Sequence, residues 1–139
     1  MVDRSVARAK IAVIQIKLRE LRERSGATVE QLSTNIAIQS IFLHSYQVAL
    51  QACCDLASHI IADQELGIPG SSAELFEILS SAKIIPQPLA RRFKDHVGLR
   101  NLIVHGYDKL DYAKLRKEMP PRIQDISRYL KAIISYAKL

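Results

Sequence analysis

The chain has no tryptophan, three phenylalanines, five glycines, five prolines and two cysteines in 139 residues. So few aromatics leave the core to Ile, Leu, Val and Ala. The scarcity of Gly and Pro disfavours a loop-rich or low-complexity chain, and most of both sit where helices should stop. The cysteines, Cys53 and Cys54, are adjacent in a helical pattern. Neighbouring helical side chains diverge, so geometry disfavours an ordinary disulfide between them. Free thiols fit a reducing compartment, and a cytoplasmic location is expected. No Cys/His spacing suggests zinc, and no carboxylate cluster suggests magnesium. No metal or other cofactor is therefore expected. No apolar run approaches membrane-spanning length. The N-terminus has no uninterrupted apolar core, so neither a secretory signal nor membrane attachment is expected. No segment alternates with the period of two that marks strands.

What is present is helical periodicity and positive charge. Lys and Arg total 20 against 14 Asp and Glu, a formal +6. That balance favours acidic partners such as RNA or an acidic protein. The length fits one domain, residues 1–139, with a core that needs no staples.

Residues 3–24 read as a helix with Ile11, Ile14, Leu18 and Leu21 inward. Arg4, Arg8, Lys10, Lys17, Arg19, Arg22 and Arg24 cover much of the remainder. That coat is either a solvated face or part of an RNA-facing surface. Thr28 and Gln31 fit a capping box for a short turn. From about Asn35 to Glu65 a long helix carries two apolar stripes. One runs through Ile38, Phe42, Tyr46, Ala49, Cys53, Leu56 and Ile60, the other through Ile36, Leu43, Leu50 and Ala57. A helix apolar on two sides is buried on two sides, so this is the expected central helix. Asp55 and His59, four apart on it, either pair locally or place Asp55 near a functional group or a partner chain. His44 reads as a surface or boundary residue.

Ser71 and Glu74 suggest a second capping box, opening a helix to about Ala82 with Leu75, Ile78 and Leu79 inward. The next helix spans about Leu89 to His105, with Leu89, Phe93, Val97 and Val104 on its buried face and His96 structural. Gly98 inside it implies close packing, within the chain or between chains. Asp111 is placed to cap a short helix over 112–118. Pro120 and Pro121 should interrupt that helix before a last one carrying Ile123, Ile126, Leu130, Ile133 and Ile134. The expected fold is all-α, an antiparallel bundle of four to five helices with short loops.

The chemistry concentrates in Arg100 to Tyr107, where a permanent cation, an amide, an imidazole and a phenol fall within eight residues. Asn101 and His105 share a helix face, and the long Arg100 side chain can reach it. Gly106 is expected to end the helix in a left-handed turn. His105 then stands in the last turn, where the helix dipole favours positive charge. Arginine suits phosphate because its planar fork donates in pairs, and histidine suits proton transfer near neutral pH. Spacing alone leaves a bland alternative, in which Arg100 makes a surface ion pair and His105 caps carbonyls. Tyr107 has one too: a ring packed at the helix end with a wet hydroxyl.

The segment from Lys94 through Asp95, His96, Val97, Gly98, Leu99, Arg100, Asn101, Leu102, Ile103, Val104, His105 and Gly106 to Tyr107 resembles the Arg-x4-His-x-Tyr motif of HepT-like toxins, within the HEPN superfamily of helical ribonucleases. Gln51 to His59 resembles that family's long central helix, with Asp55 near its middle. Ala73 to Leu79, followed by Ile84 to Pro86, resembles the next helix and loop. The resemblance covers roughly residues 5–115. It departs at Gly106, a less typical occupant between His and Tyr.

The resemblance implies a HEPN-like homodimer with the two motifs at a cleft between subunits. It implies metal-independent endoribonuclease activity, in which the 2′-hydroxyl of RNA attacks the adjacent phosphorus. His105 would move protons, Arg100 would neutralise transition-state charge, and Asn101 would orient a phosphate or His105. Asp55 would support them from behind. Tyr107 would contact substrate or accept AMP from a minimal nucleotidyltransferase antitoxin. Two other readings stay open: a non-catalytic module binding a nucleotide or a nucleotidyltransferase, and a structural helical dimer.

Overall fold

The computed structural model of the chain describes residues 3–139, and for Tyr107 the backbone only. Six α-helices and one 3₁₀ turn follow in the order α1 (Arg4–Arg24), α2 (Val29–Thr34), α3 (Ile36–Asp63), α4 (Ser72–Ser81), α5 (Gln87–Gly106), a 3₁₀ turn (Tyr107–Lys109) and α6 (Tyr112–Ala137). There is no strand among the described residues. No helix among them is long and apolar enough to cross a membrane.

Local signals set most of the starts. Asp3 caps α1 by accepting from the amides of Ser5 and Val6. Thr28 and Gln31 form a complete capping box at α2. At α4 the box is half formed. Ser71 Oγ accepts from the Glu74 amide, but Glu74 turns its carboxylate to the Gly70 amide at 2.6 Å. Asp111 caps α6.

The 28-residue α3 is the spine. α1 packs along it, α4 and α5 pack on each other and against it, and α6 closes the bundle over α1, α2 and α5. The expected stripes are buried from Phe42 to Ile60, although Ile36 at the start of α3 is exposed. Phe76, Phe93 and Tyr129 cluster where α4, α5 and α6 meet, with the Phe76 and Phe93 rings stacked at 4.3 Å. Tyr129 donates its hydroxyl to the Cys53 carbonyl at 2.9 Å, fastening α6 to α3.

A buried polar chain makes a second fastening. His96 on α5 lies 2.6 Å from Tyr46 Oη on α3 through Nδ1 and 3.0 Å from Asp125 on α6 through Nε2. Asp125 also takes Arg92 at 2.8 Å. His96 is thus structural, and His44 is exposed, as expected.

Two expectations fail, and a third loses one of its two alternatives. Pro120 and Pro121 do not break the chain, because α6 is one helix of 26 residues with both prolines inside. An interior proline costs about 3 kcal/mol. Against that, Leu115, Met119, Ile123, Ile126, Tyr129, Leu130 and Ile133 keep one buried face across the prolines. Each such side chain contributes roughly 1.5–3 kcal/mol on burial, so the continuous face wins. Gly98 is not tightly packed within the chain, since a Cβ there would meet nothing within 4 Å. Gly106 is not a left-handed stop. It is the last residue of α5, and the 3₁₀ turn follows directly.

Candidate active site

Three helices converge on Arg100. Its Nη1 donates to Gln51 Oε1 on α3 at 3.0 Å and to Cys54 Sγ at 3.6 Å. Its Nη2 donates to Asn101 Oδ1 at 3.1 Å and to Ser72 Oγ, in the first turn of α4, at 3.5 Å. Every acceptor is neutral. Burial pushes the Cys54 thiol up to about 11 despite the Arg100 cation beside it, so the sulfur stays uncharged. Arg100 makes no ion pair among the described residues, which overturns the bland reading of its role.

One carboxylate lies nearby and is held off. Gln51 Nε2 donates to Asp55 Oδ1 at 2.9 Å while its Oε1 accepts from Arg100. Asp55 takes its charged partner from α1, Lys10 at 3.1 Å. The local pair with His59 does not form; His59 Nε2 is buried without a hydrogen-bond partner among the described residues. Asp55 therefore stands behind Arg100 through an amide, and its negative charge is spent on Lys10.

These groups line one cleft of about 410 Å³, shared by Lys10, Gln51, Asp55, Arg100, Asn101, Val104 and His105. Four of the residues singled out from sequence, Asp55, Arg100, Asn101 and His105, are thus brought together. His105 is exposed and makes no side-chain hydrogen bond among the described residues, so it does not cap carbonyls. Asn101 is engaged with Arg100 rather than with His105. Val104, expected inside, is 47 % exposed and forms part of the cleft wall, and Leu102, on the other side of α5, is 40 % exposed. The side chain of Tyr107 lies outside the described residues; its backbone opens the 3₁₀ turn two residues after His105. Sequence reasoning gave no role to Gln51, Cys54 or Ser72, and placed Lys10 only in the basic coat of α1. Only the amphipathic spacing of Gln51 and Asp55, one turn apart, hinted at the first.

Chemically, the cleft offers an oriented, uncompensated guanidinium and a free imidazole on one helix. Among the described residues no group of three or more His, Cys, Asp or Glu is placed to hold a metal ion.

The profile of the family described as ribonuclease HepT-like matches residues 14–133, which includes Gln51, Asp55, Arg100, Asn101, Val104 and His105 of the cleft but not Lys10. The chain belongs to the ribonuclease HepT-like family. Its similarity to individual members runs nearly end to end. It is 32 % identical to the mRNA nuclease HepT of Shewanella oneidensis over 89 % of this chain and 92 % of that one. Two solved structures share this HepT-like fold. One is a toxin–antitoxin complex with AMP-PNP, at TM-score 0.87 and 29 % identity over 94 % of this chain and 98 % of that one. The other is the tri-AMPylated Shewanella oneidensis HEPN toxin in complex with an MNT antitoxin, at TM-score 0.86 and 28 % identity over 96 % and 99 %.

Proposed function

We propose that this protein is the toxin of a HEPN and minimal nucleotidyltransferase pair, acting as a metal-independent endoribonuclease in the cytoplasm. The observation that carries the reading is the Arg100 guanidinium, oriented by four neutral acceptors beside an unengaged His105 in one cleft. A cation with no carboxylate partner presents its full charge to a phosphate, and bidentate geometry suits the phosphoryl oxygens.

The reaction uses the substrate's own nucleophile. The 2′-hydroxyl of RNA attacks the adjacent phosphorus and loses its proton to an imidazole. The phosphorus–5′-oxygen bond breaks, and the departing oxygen takes a proton, leaving a 2′,3′-cyclic phosphate and a 5′-hydroxyl. Arg100 stabilises the charge that builds on the phosphoryl oxygens. His105 carries protons, and a second copy of the chain supplies the other acid–base group. Val104, 47 % exposed in the cleft wall, gives this second copy an apolar contact beside the motif. Asn101 fixes Arg100, and Gln51 keeps Asp55 from neutralising it.

Control falls on Tyr107. It follows His105 by two residues, so an AMP group transferred to its phenol by the partner enzyme lands beside the cleft. The added phosphate competes for Arg100 and its bulk excludes RNA. The deciding test is expression with and without the partner, scoring growth and RNA integrity, with cleavage repeated in EDTA. Growth arrest with RNA cut in EDTA supports the reading; intact RNA under arrest, or restoration by magnesium, overturns it.

A further inference from the structure

The bundle carries a second electropositive surface that the cleft does not use. Arg22 from the last turn of α1 and Arg128 and Lys131 from α6 converge on a groove of about 680 Å³ beside Pro120 and Pro121. All three cations are exposed, and none makes an ion pair among the described residues.

The acids that could compensate them are engaged elsewhere. On α1, Glu20 is bound by Lys17 and Ser45, and Glu23 by Arg24. On α6, Glu118 is bound by Arg122, and Asp125 by Arg92 and His96. Those four are the only acids of the two helices, and no acidic side chain lines the groove. Arg8 and Arg19, both exposed, extend the charge along the same flank of α1, at helical bearings within about 60° of Arg22. Bringing like charges together costs energy that a polyanion would return.

We infer that the α1–α6 groove is a second RNA-binding site, one that grips the phosphate backbone of a long or structured RNA away from the bond being cut. The inference deepens the ribonuclease reading and rests on it. RNA is favoured over a protein partner by what the groove lacks. Its apolar lining is limited to the exposed rings of Pro120 and Pro121 and to Ile123, only 6 % exposed, and it holds no aromatic side chain and none of the large exposed hydrophobic residues. Protein interfaces are anchored by buried aromatic and apolar side chains. Nucleic-acid interfaces are polar and strongly positive. Gln124 adds a neutral hydrogen-bonding group between the cations.

The groove is distant from the cleft. Lys10 in the cleft and Arg22 in the groove are twelve residues apart on α1, which is about 18 Å of helix. A hexanucleotide seated in the cleft leaves the groove empty, whereas a folded RNA can reach both. The groove thus sets a preference for substrate size rather than for sequence.

The test compares Arg22→Gln/Arg128→Gln/Lys131→Gln with a control of equal charge loss, Lys83→Gln/Lys94→Gln/Lys138→Gln. Binding of fluorescein-labelled bulk tRNA is measured by anisotropy across a potassium chloride series. Both sets and the reference carry His105→Ala to prevent cutting. Cleavage of tRNA and of a hexaribonucleotide is measured with His105 intact. The groove variant should bind tRNA on the order of tenfold more weakly, with a salt slope shallower by about 2 to 3. Its cleavage of the hexanucleotide should stay within twofold of wild type, and Arg22→Lys/Arg128→Lys should bind as wild type does. Unchanged tRNA binding, or equal weakening in the control, overturns the groove. So does loss of nucleotidyltransferase capture with tRNA affinity intact, which would give the surface to the protein partner. If the wild type binds tRNA with the groove-dependent slope but cuts neither RNA, the ribonuclease reading fails and the groove stands.

Discussion

Mild acid should weaken this fold through His96, and the size of the effect can be worked from its surroundings. The side chain is 1 % exposed. With Nε2–H donating to Asp125 and Nδ1 accepting from Tyr46, the neutral ring is satisfied at both ends. A proton on Nδ1 would face the Arg122 Nη1 group at 3.3 Å as well as the Tyr46 hydroxyl. Burial, and next to it the Arg122 charge, outweigh the pull of Asp125 and hold the imidazole down to about 4, against 6.5 ordinarily. The unfolded chain therefore binds a proton that the folded chain refuses. Stability contributed by this residue is complete above about pH 6.5 and is lost as pH falls toward 4. A difference of this size corresponds to about 3 kcal/mol, with a slope of at most about 1.4 kcal/mol per pH unit. Urea unfolding followed by far-ultraviolet circular dichroism should show it between pH 7.5 and 4. His96→Gln keeps a donor and an acceptor but cannot titrate, so the stability gap between wild type and variant should narrow by about that amount in acid. A constant gap would mean that His96 takes up its proton alike in the folded and unfolded chain, and a widening one that it is an imidazolium paired with Asp125; either would refute the reasoning. Because His96 lies one turn before Arg100 on α5, cleavage should fail over the same pH range in which the helix loosens.

His105→Ala and Arg100→Ala should each leave the fold intact, and His105 loss should lower RNA cleavage by about 10²–10⁴-fold; near wild-type rates in folded variants would remove both from the chemistry. Gln51→Glu should cut cleavage at least about tenfold, because a carboxylate at that position neutralises Arg100 as a direct ion pair, and an unchanged rate would show that the neutrality of its acceptors is irrelevant. Tyr107→Phe should stay toxic and escape the partner, with intact-mass analysis showing AMP added to wild type but not to the variant; equal modification of both would move control to another residue. Gly98→Ala should stabilise the fold by up to about 1 kcal/mol, read as a higher urea midpoint, since its Cβ enters open space on a helix; a lowered midpoint with a weakened dimer would place Gly98 in contact with a second copy.

The features legible in the sequence were those that repeat locally. The stripes of α3 and the box at Thr28 need only a few neighbouring residues to be recognised, and both stand in the structure. Asn101 and His105 reached the same cleft because a helix of ordinary pitch puts them on one side. The breakers misled. Pro120 and Pro121 oppose a helix locally, yet a buried face continuous from Leu115 to Ile133 overrides them. Gly106 can adopt a left-handed turn but is not obliged to. The clamp on Arg100 was illegible for another reason. Gln51 is 49 residues away, and no local pattern announces a contact across two helices and a loop.

The clamp has a kinetic consequence. A surface arginine normally samples many rotamers, and a phosphate must wait for, and then freeze, the useful one. Here α3, α4 and α5 have already restricted the guanidinium before RNA arrives. Preorganisation of this kind lowers the barrier without adding a contact. It also makes the orientation of Arg100 a shared property of three helices. A disturbance at the start of α4, where Ser72 follows the Gly67 to Gly70 breaker, would detune the cleft without touching any group that meets the substrate.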